Sequence, residues 1–303
     1  MTGDQVVESL PAPPLYFPLR HGRYDIAPGL NRFGKDLGGG EFDRYLFQID
    51  RTYPGFLTAK LASRAEDFGK YVVAHDLAPA TLEAINDFII VRLAAEHPHL
   101  AAHFNAAATR GFDRFDALAC QVQEDLAIVS TAPNRGHWLS AAHICFPNGW
   151  APAEKVGHSF AAVHEPVAGM ADMNRRGEEF VNIMTRATDG LVRFAWGVTC
   201  DDRLNHHPDK PRTPFDPSKP RAFLRVERQT ICGMPPPGPY REHGAALFTI
   251  RTYLYDLADL RRDPATRDPL IAALLSMSPE SRAYKGLADH FDPLVKWLSL
   301  GLE

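Results

Sequence analysis

Apolar residues recur at helical spacing over the first third of the chain and at strand spacing over the middle. Pro79-Ala80-Thr81-Leu82-Glu83 opens a periodic helix, with Leu82, Ile85, Phe88, Ile89 and Leu93 on one stripe and Pro98 beyond its end. Asp43 to Ala65 carries Leu46, Ile49, Tyr53, Phe56, Leu57 and Lys60 at near-helical spacing, and Pro54 starts or breaks a helix there. Residues 1 to about 40 are rich in Pro and Gly. They predict an extended arm over the surface, with Leu15, Tyr16 and Phe17 docked as an apolar tack. Near residue 117 the period changes. Ala117 to Ser130 (with Val122, Leu126, Ile128 and Val129) reads as one strand and His137 to Phe146 as a second, with a turn at Asn134-Arg135-Gly136 between them. Ala153 to Val163 predicts a short helix or loop, and Asp172 to Thr188 a helix with Phe180, Ile183 and Met184 inward. Leu191 to Thr199 is a third strand whose Val192, Phe194, Trp196 and Val198 share an apolar face. Arg221 to Asp256 supplies strands four and five, and Leu257 to Glu303 returns to helix around Leu270, Leu274, Leu294, Val295, Trp297 and Leu298.

The pattern predicts an α+β fold of about five mostly antiparallel strands with helices before and after. It reads as one domain: an arm over 1–40, a helical part over 41–115, a strand core over 116–256 and helices over 257–303. The last two strands, joined by a Pro/Gly loop, do not alternate like a half-exposed hairpin. Arg225, Glu227 and Gln229 share one face of the first, while Leu247, Thr249, Arg251, Tyr253 and Tyr255 share one face of the second. If both polar faces lie on one side, they make either a solvated sheet face or the wall of a site.

Composition narrows the function. A net charge of −4 gives no bulk attraction to nucleic acid or anionic membrane. No run reaches the roughly 18 apolar residues of a membrane span, and the N-terminus lacks a secretory pattern. The dispersed Cys120, Cys145, Cys200 and Cys232 form no CxxC pair, which fits reduced thiols in a cytoplasm and gives no cluster site. There is no GxGxxG, P-loop or GxSxG.

Several residues invite a chemical reading beside a plain one. His206-His207 reads as a surface pair, since adjacent extended residues point opposite ways. His143 shares a strand face with Cys145, as a soft metal site or a satisfied core histidine. Glu124-Asp125 lies in an apolar strand, as a buried structural carboxylate or an acid/base group. In Pro147 to Val167, His164 follows the apolar Phe160-Ala161-Ala162-Val163, and Pro166 biases Glu165 toward extended backbone. That presents an imidazole into an apolar pocket, as haem ligation requires. His158 is the competing ligand.

A set of segments resembles the haem-dependent oxidative N-demethylase family, whose haem-binding alpha subunit has a PAS-type fold. They are Val122-Gln-Glu124-Asp125-Leu, Phe146-Pro147, Gly149-Trp150, Glu154-Lys155-Val-Gly157, His164-Glu-Pro166-Val167, Arg193-Phe-Ala195-Trp196, Arg225-Val-Glu227-Arg228-Gln229-Thr230 and Leu247-Phe-Thr249-Ile-Arg251-Thr252-Tyr253. The chain departs from the family at Ala195, where an asparagine is usual, and at Ala168, where a proline is usual. The resemblance implies haem b in a PAS-like pocket, with His164 on the iron and His158 as the alternative. It further implies O2 and a small secondary amine as substrates, and a partner reductase carrying FMN, a 2Fe-2S cluster and NADPH. Lys155 and Tyr253 are then expected at the cofactor. Arg225, Arg228 or Arg251 is expected to donate to the oxygen, and Glu227 or Trp196 to hold the amine. The alternatives are a non-catalytic PAS-type haem or gas sensor, and a ligand-binding module without haem.

Overall fold

The computed structural model describes residues 10–25, 29–100, 104, 111–234 and 244–300. Among these, one antiparallel sheet of seven strands runs in the order β1-β5-β6-β7-β3-β4-β2. The strands are β1 Asn31–Arg32, β2 Val72–Ala74, β3 Asp125–Ala132, β4 Gly136–His143, β5 Leu191–Thr199, β6 Phe223–Met234 and β7 Ala245–Asp256. The five expected strands correspond to β3 to β7. The two additional ones are short edge strands of two and three residues, too short to carry a period.

The sheet has two differently covered faces. On one, Leu126, Ile128 and Leu247 pack against Ile85, Ile89 and Leu93 of helix Pro79–Glu96 and Phe115 and Leu118 of helix Gly111–Ala119. On the same face Trp196, Val198, Leu224 and Val226 pack against Leu270 and Leu274 of helix Pro264–Leu275 and Leu294 and Leu298 of helix Phe291–Ser299. The other face meets the segment between β4 and β5. Ile231 and Ala246 pack there on Val181 and Met184 of helix Gly177–Arg186, with Phe160 and Phe248 alongside.

Several local expectations change. Ala117–Ala119 ends a helix instead of opening a strand, because Phe115, Leu118 and Ala119 fall on one buried side of it at helical spacing. Ile183 is 46% exposed, since Val181 and Met184 already turn that helix's apolar side onto the sheet. In the described part of the arm, Tyr16 and Leu19 are core residues while Leu15 is exposed. The Tyr16 ring packs 5.3 Å from that of Tyr253, and its hydroxyl donates to Asp43 at 2.8 Å. Residues 1–9 and 26–28 of the arm, 101–103 and 105–110 of the helical part, the 235–243 loop of the hairpin and the last three residues lie outside the described residues.

Glu124 and Asp125 tie the helical part to the sheet. Asp125 accepts from the backbone N–H of Cys145 at 2.9 Å and of Phe146 at 2.8 Å. Glu124 accepts from the Gln48 N–H at 2.8 Å. Lys60, fully buried on helix Tyr53–Glu66, donates to the carbonyls of Ala119 (2.8 Å), Val122 (3.0 Å) and Glu124, with Asp125 at 3.8 Å. One ammonium thus satisfies the loop carbonyls that precede β3. Lys60→Met removes the donor and leaves Asp125 buried without its cation, so urea unfolding should show a loss of about 3 to 5 kcal/mol. A loss under about 1 kcal/mol would show that water replaces the ammonium.

Burial pushes Glu124 up to about 7 and Asp125 up to about 6, against partial relief from Arg251 and Lys60 respectively. A carboxyl raised on folding contributes its stability fully below its unfolded value and loses it as pH climbs through the folded one. Wild-type protein should therefore lose stability relative to Glu124→Gln between about pH 4.5 and pH 7, by about 3 kcal/mol. A constant difference across that range in urea unfolding would contradict the burial argument.

Candidate functional site

A cavity of about 380 Å³ lies between the second face of the sheet and the segment from Asn148 to Met184. The sheet contributes Val129, Ile231, Phe248 and Ile250. The segment contributes Trp150, Phe160, Val163, Phe180 and Met184. Polar groups also line this apolar space: the imidazoles of His137, His158 and His164, the cations Lys155, Arg193 and Lys285, the acids Asp25, Glu154 and Glu227, and Asn148, Gln229 and Tyr284. A mostly apolar hollow with few convergent polar groups is the usual form of a ligand site.

His164 is the last residue of the short helix Phe160–His164, which Ser159 caps by accepting from the Ala162 N–H at 3.4 Å. Its Nδ1 lies 2.8 Å from the Phe160 carbonyl oxygen. A carbonyl only accepts, so Nδ1 carries the proton and Nε2 keeps its lone pair. Burial pushes the imidazole down to about 4, with Arg193 and Lys155 adding to the effect. The ring is therefore neutral at pH 7 and packs 4.2 Å from the Phe160 ring. Glu165 is not extended, as Pro166 would favour, but helical at φ −51°, ψ −42°. The helical turn and the Phe160 carbonyl, rather than a stretched backbone, set the direction of His164. His158 also lines the cavity but is exposed.

The hairpin register decides which of the other candidates reach the cavity. Arg228 pairs with Arg251 and Glu227 with Thr252. Because neighbouring residues point to opposite faces, Glu227 and Gln229 face the cavity while Arg228, Arg251 and Tyr253 face the helices. The two polar rows are back to back, not side by side. Arg251 donates to Asp50 at 2.6 Å, both fully buried, and Tyr253 donates to Gln48. Arg228 donates to the Tyr45 carbonyl at 3.1 Å and lies over the Phe33 ring. Arg225 has the parity of Glu227 but turns aside. It donates to the carbonyls of Phe146 (2.7 Å) and Leu204 (2.8 Å) and to Glu227 at 3.1 Å. Trp196 borders the cavity, yet its ring packs edge-on to Tyr24, 5.4 Å away, in the helix-side core. Lys155 lines the cavity.

The cavity adds groups the pattern left unassigned. Arg193 lies opposite Gln229 in register, with its Nε buried and without a hydrogen-bond partner among the described residues. Ala195 lines the cavity directly across from Glu227. The β5 alternation contained both placements, because an apolar row at 192, 194, 196 and 198 sends 193 and 195 to the other side. His137 brings a third imidazole, its Nε2 buried and likewise without a partner. Lys285 arrives from the C-terminal helices, where nothing in the sequence marks it.

Two other histidine groups are complete as they stand. His143 Nε2 lies 3.0 Å from Asp116, which Arg64 grips with two bonds at 2.9 and 2.7 Å, and Cys120 is 3.7 Å from the same nitrogen. His206 and His207 are buried, not surface, residues. They point to different partners, Asp201 at 2.8 Å and Asp209 at 2.6 Å.

The two faces predict opposite phenotypes. Arg251→Met strands the buried Asp50 and should cost about 3 to 5 kcal/mol in urea unfolding. Glu227→Gln still accepts from Arg225 but gives up the bond from the Gln229 amide, so it should cost about 1 kcal/mol while changing ligand binding. The reverse pattern would place the site on the helix side.

A family model described as haem-dependent oxidative N-demethylase, alpha subunit-like, matches residues 42–295, which takes in β2 to β7 and the whole cavity lining apart from Tyr24 and Asp25; the chain belongs to that family.

Proposed function

We propose that this chain binds haem b in the large cavity, with His164 as its axial ligand, and demethylates a small secondary amine oxidatively. The observation that carries the reading is the state of His164: a neutral imidazole whose Nδ1–H is committed to the Phe160 carbonyl, leaving Nε2 as a ligand atom in an apolar space. The donor set fits the group. An oriented histidine, a lining of Trp150, Phe160, Val163 and Phe248, and cations at the rim are what a flat apolar ring with two acidic side chains requires.

The order of the five long strands supports a PAS-like reading. Numbered by themselves, they run 2-1-5-4-3, and the helical segment that roofs the cavity enters between the second and third. Haem, when bound, would supply the oxygen chemistry. The chain's part is binding and orientation. Glu227 is the carboxylate that the sheet itself turns to the cavity, with its oxygens steadied by Arg225 and Gln229, and it is the partner for an alkylammonium. The small Ala195 across from it leaves room beside that carboxylate. Arg193, with a free donor, takes over the role expected of Arg225, Arg228 or Arg251 toward an electron-rich oxygen atom. Electrons arrive from a partner reductase with FMN, 2Fe-2S and NADPH, in keeping with an alpha-subunit-like chain.

Purified protein titrated with haem should develop a Soret band. His164→Ala should weaken haem binding at least about 100-fold, while His158→Ala and His137→Ala retain it. Loss with His158→Ala instead would move the ligand. Haem-loaded protein given a chemical reductant in air should release formaldehyde from secondary amines, and Glu227→Gln should raise KM for them. Haem binding without formaldehyde across a broad amine panel would make the chain a haem sensor or carrier.

A further inference from the structure

We infer that a carboxylate binds at the seam between the large cavity and a small polar chamber beside it, held by Lys285 with Arg212 and Arg225. The chamber measures about 30 Å³ and shares Asn148, Tyr284 and Lys285 with the large cavity. Three cations line it, Arg212, Arg225 and Lys285, together with the polar side chains of Asn148, Thr199 and Tyr284, and no carboxylate does. The acid nearest in the site, Glu227, faces the large cavity and is engaged by Arg225 and Gln229.

Two of the three cations are fixed from outside. Arg225 is 1% exposed and tied to the Phe146 and Leu204 carbonyls. Arg212 donates to the Lys285 carbonyl at 2.6 Å and is seated between Gly149 and Gly286. Both glycines have positive φ, +80° and +69°, and a Cβ on either would collide with the guanidinium. Lys285 is the third cation, its ammonium 5.7 Å from the Tyr284 ring and in no ion pair with a carboxylate among the described residues. Burial lowers its pKa, and Arg212, Arg225 and Arg193 push the same way against Glu227. An ammonium held among other cations without a paired carboxylate is costly. An anion at the seam supplies the missing counter-charge and offsets the crowding.

A carboxylate of this size reaches the seam from either of two sources: a propionate of haem in the large cavity, or the acid group of an N-methylated amino acid whose ammonium meets Glu227. The first source rests on the haem reading; the second uses the same cavity.

The test compares wild type, Lys285→Met, Lys285→Gln and Lys285→Arg. Each is titrated with haem and with haem dimethyl ester, which lacks the propionate charges. The haem-loaded proteins are titrated with N-methylglycine and with the uncharged-tail analogue N-methylethylamine, read by difference spectra. The haem-free chain is titrated with N-methylglycine by calorimetry. Wild type should prefer the carboxylate form by about tenfold or more in at least one arm, as a charge-assisted bond implies. Lys285→Met and Lys285→Gln should lose that preference and Lys285→Arg keep most of it. A preference for haem over its ester assigns the propionate, and one for N-methylglycine assigns the substrate. No preference in any arm, or one that survives both neutral variants, overturns the inference. Wild type that binds no haem in either form defeats the haem reading alone, and calorimetry on the haem-free chain then decides the carboxylate site.

Discussion

The pairing of β6 with β7 fixes the chemistry of the whole molecule. Glu227 opposite Thr252 and Arg228 opposite Arg251 divide one strongly charged hairpin between two environments. A slip of β6 by one residue would send Arg228 into the cavity and Glu227 under the helices. What holds the register is the cost of burying charge. Arg251 finds Asp50 only on the helix side, and Tyr253 finds Gln48 there. Those partners come from the segment before helix Tyr53–Glu66, so the N-terminal part of the chain selects which face of the hairpin becomes the site.

The same segment is anchored a second time by Glu124, Asp125 and Lys60, buried groups that join it to the start of β3. The helix-side face of the sheet is thereby polar in its middle, and Glu124, Arg228 and Arg251 each have at least one partner there, while Glu124 Oε2, Nε and Nη1 of Arg228 and Nε of Arg251 have no hydrogen bond among the described residues. The cavity face is largely apolar, with Nε of Arg193 and Nε2 of His137 left without hydrogen-bond partners among the described residues. Charged groups of both faces are buried. The difference that marks a site is the open space in front of the cavity-side groups.

How much of this the sequence shows depends on the length and purity of each pattern. β5 matches its expected bounds because four apolar residues alternate without interruption, and the same alternation carries Arg193 and Ala195 to the cavity. The five long strands and their helical flanks follow from period alone. β1 and β2 do not, since pairing creates them at the sheet edges. The face shared by two strands is a property of register, which the sequence of either strand leaves open, and so Arg228, Arg251 and Tyr253 read as site residues. Glu165 shows a local preference losing to a helical turn. Lys285 is legible only in three dimensions: it is one lysine among helical residues, and its meaning comes from β5 and β6, dozens of positions away.

The departure at Ala195 gains a physical sense from the register. Ala195 and Glu227 face each other across β5 and β6 and both line the cavity. A longer amide side chain at this position would lie beside the carboxylate and occupy part of its surroundings. With alanine, the space next to Glu227 is open toward Arg193 on one side, and Lys285 also borders the cavity. Three acids (Asp25, Glu154 and Glu227) and three cations (Lys155, Arg193 and Lys285) line this apolar hollow, which suits a molecule carrying both signs. On the proposed reading, residue 195 would bear on the amine as directly as His164 bears on the haem.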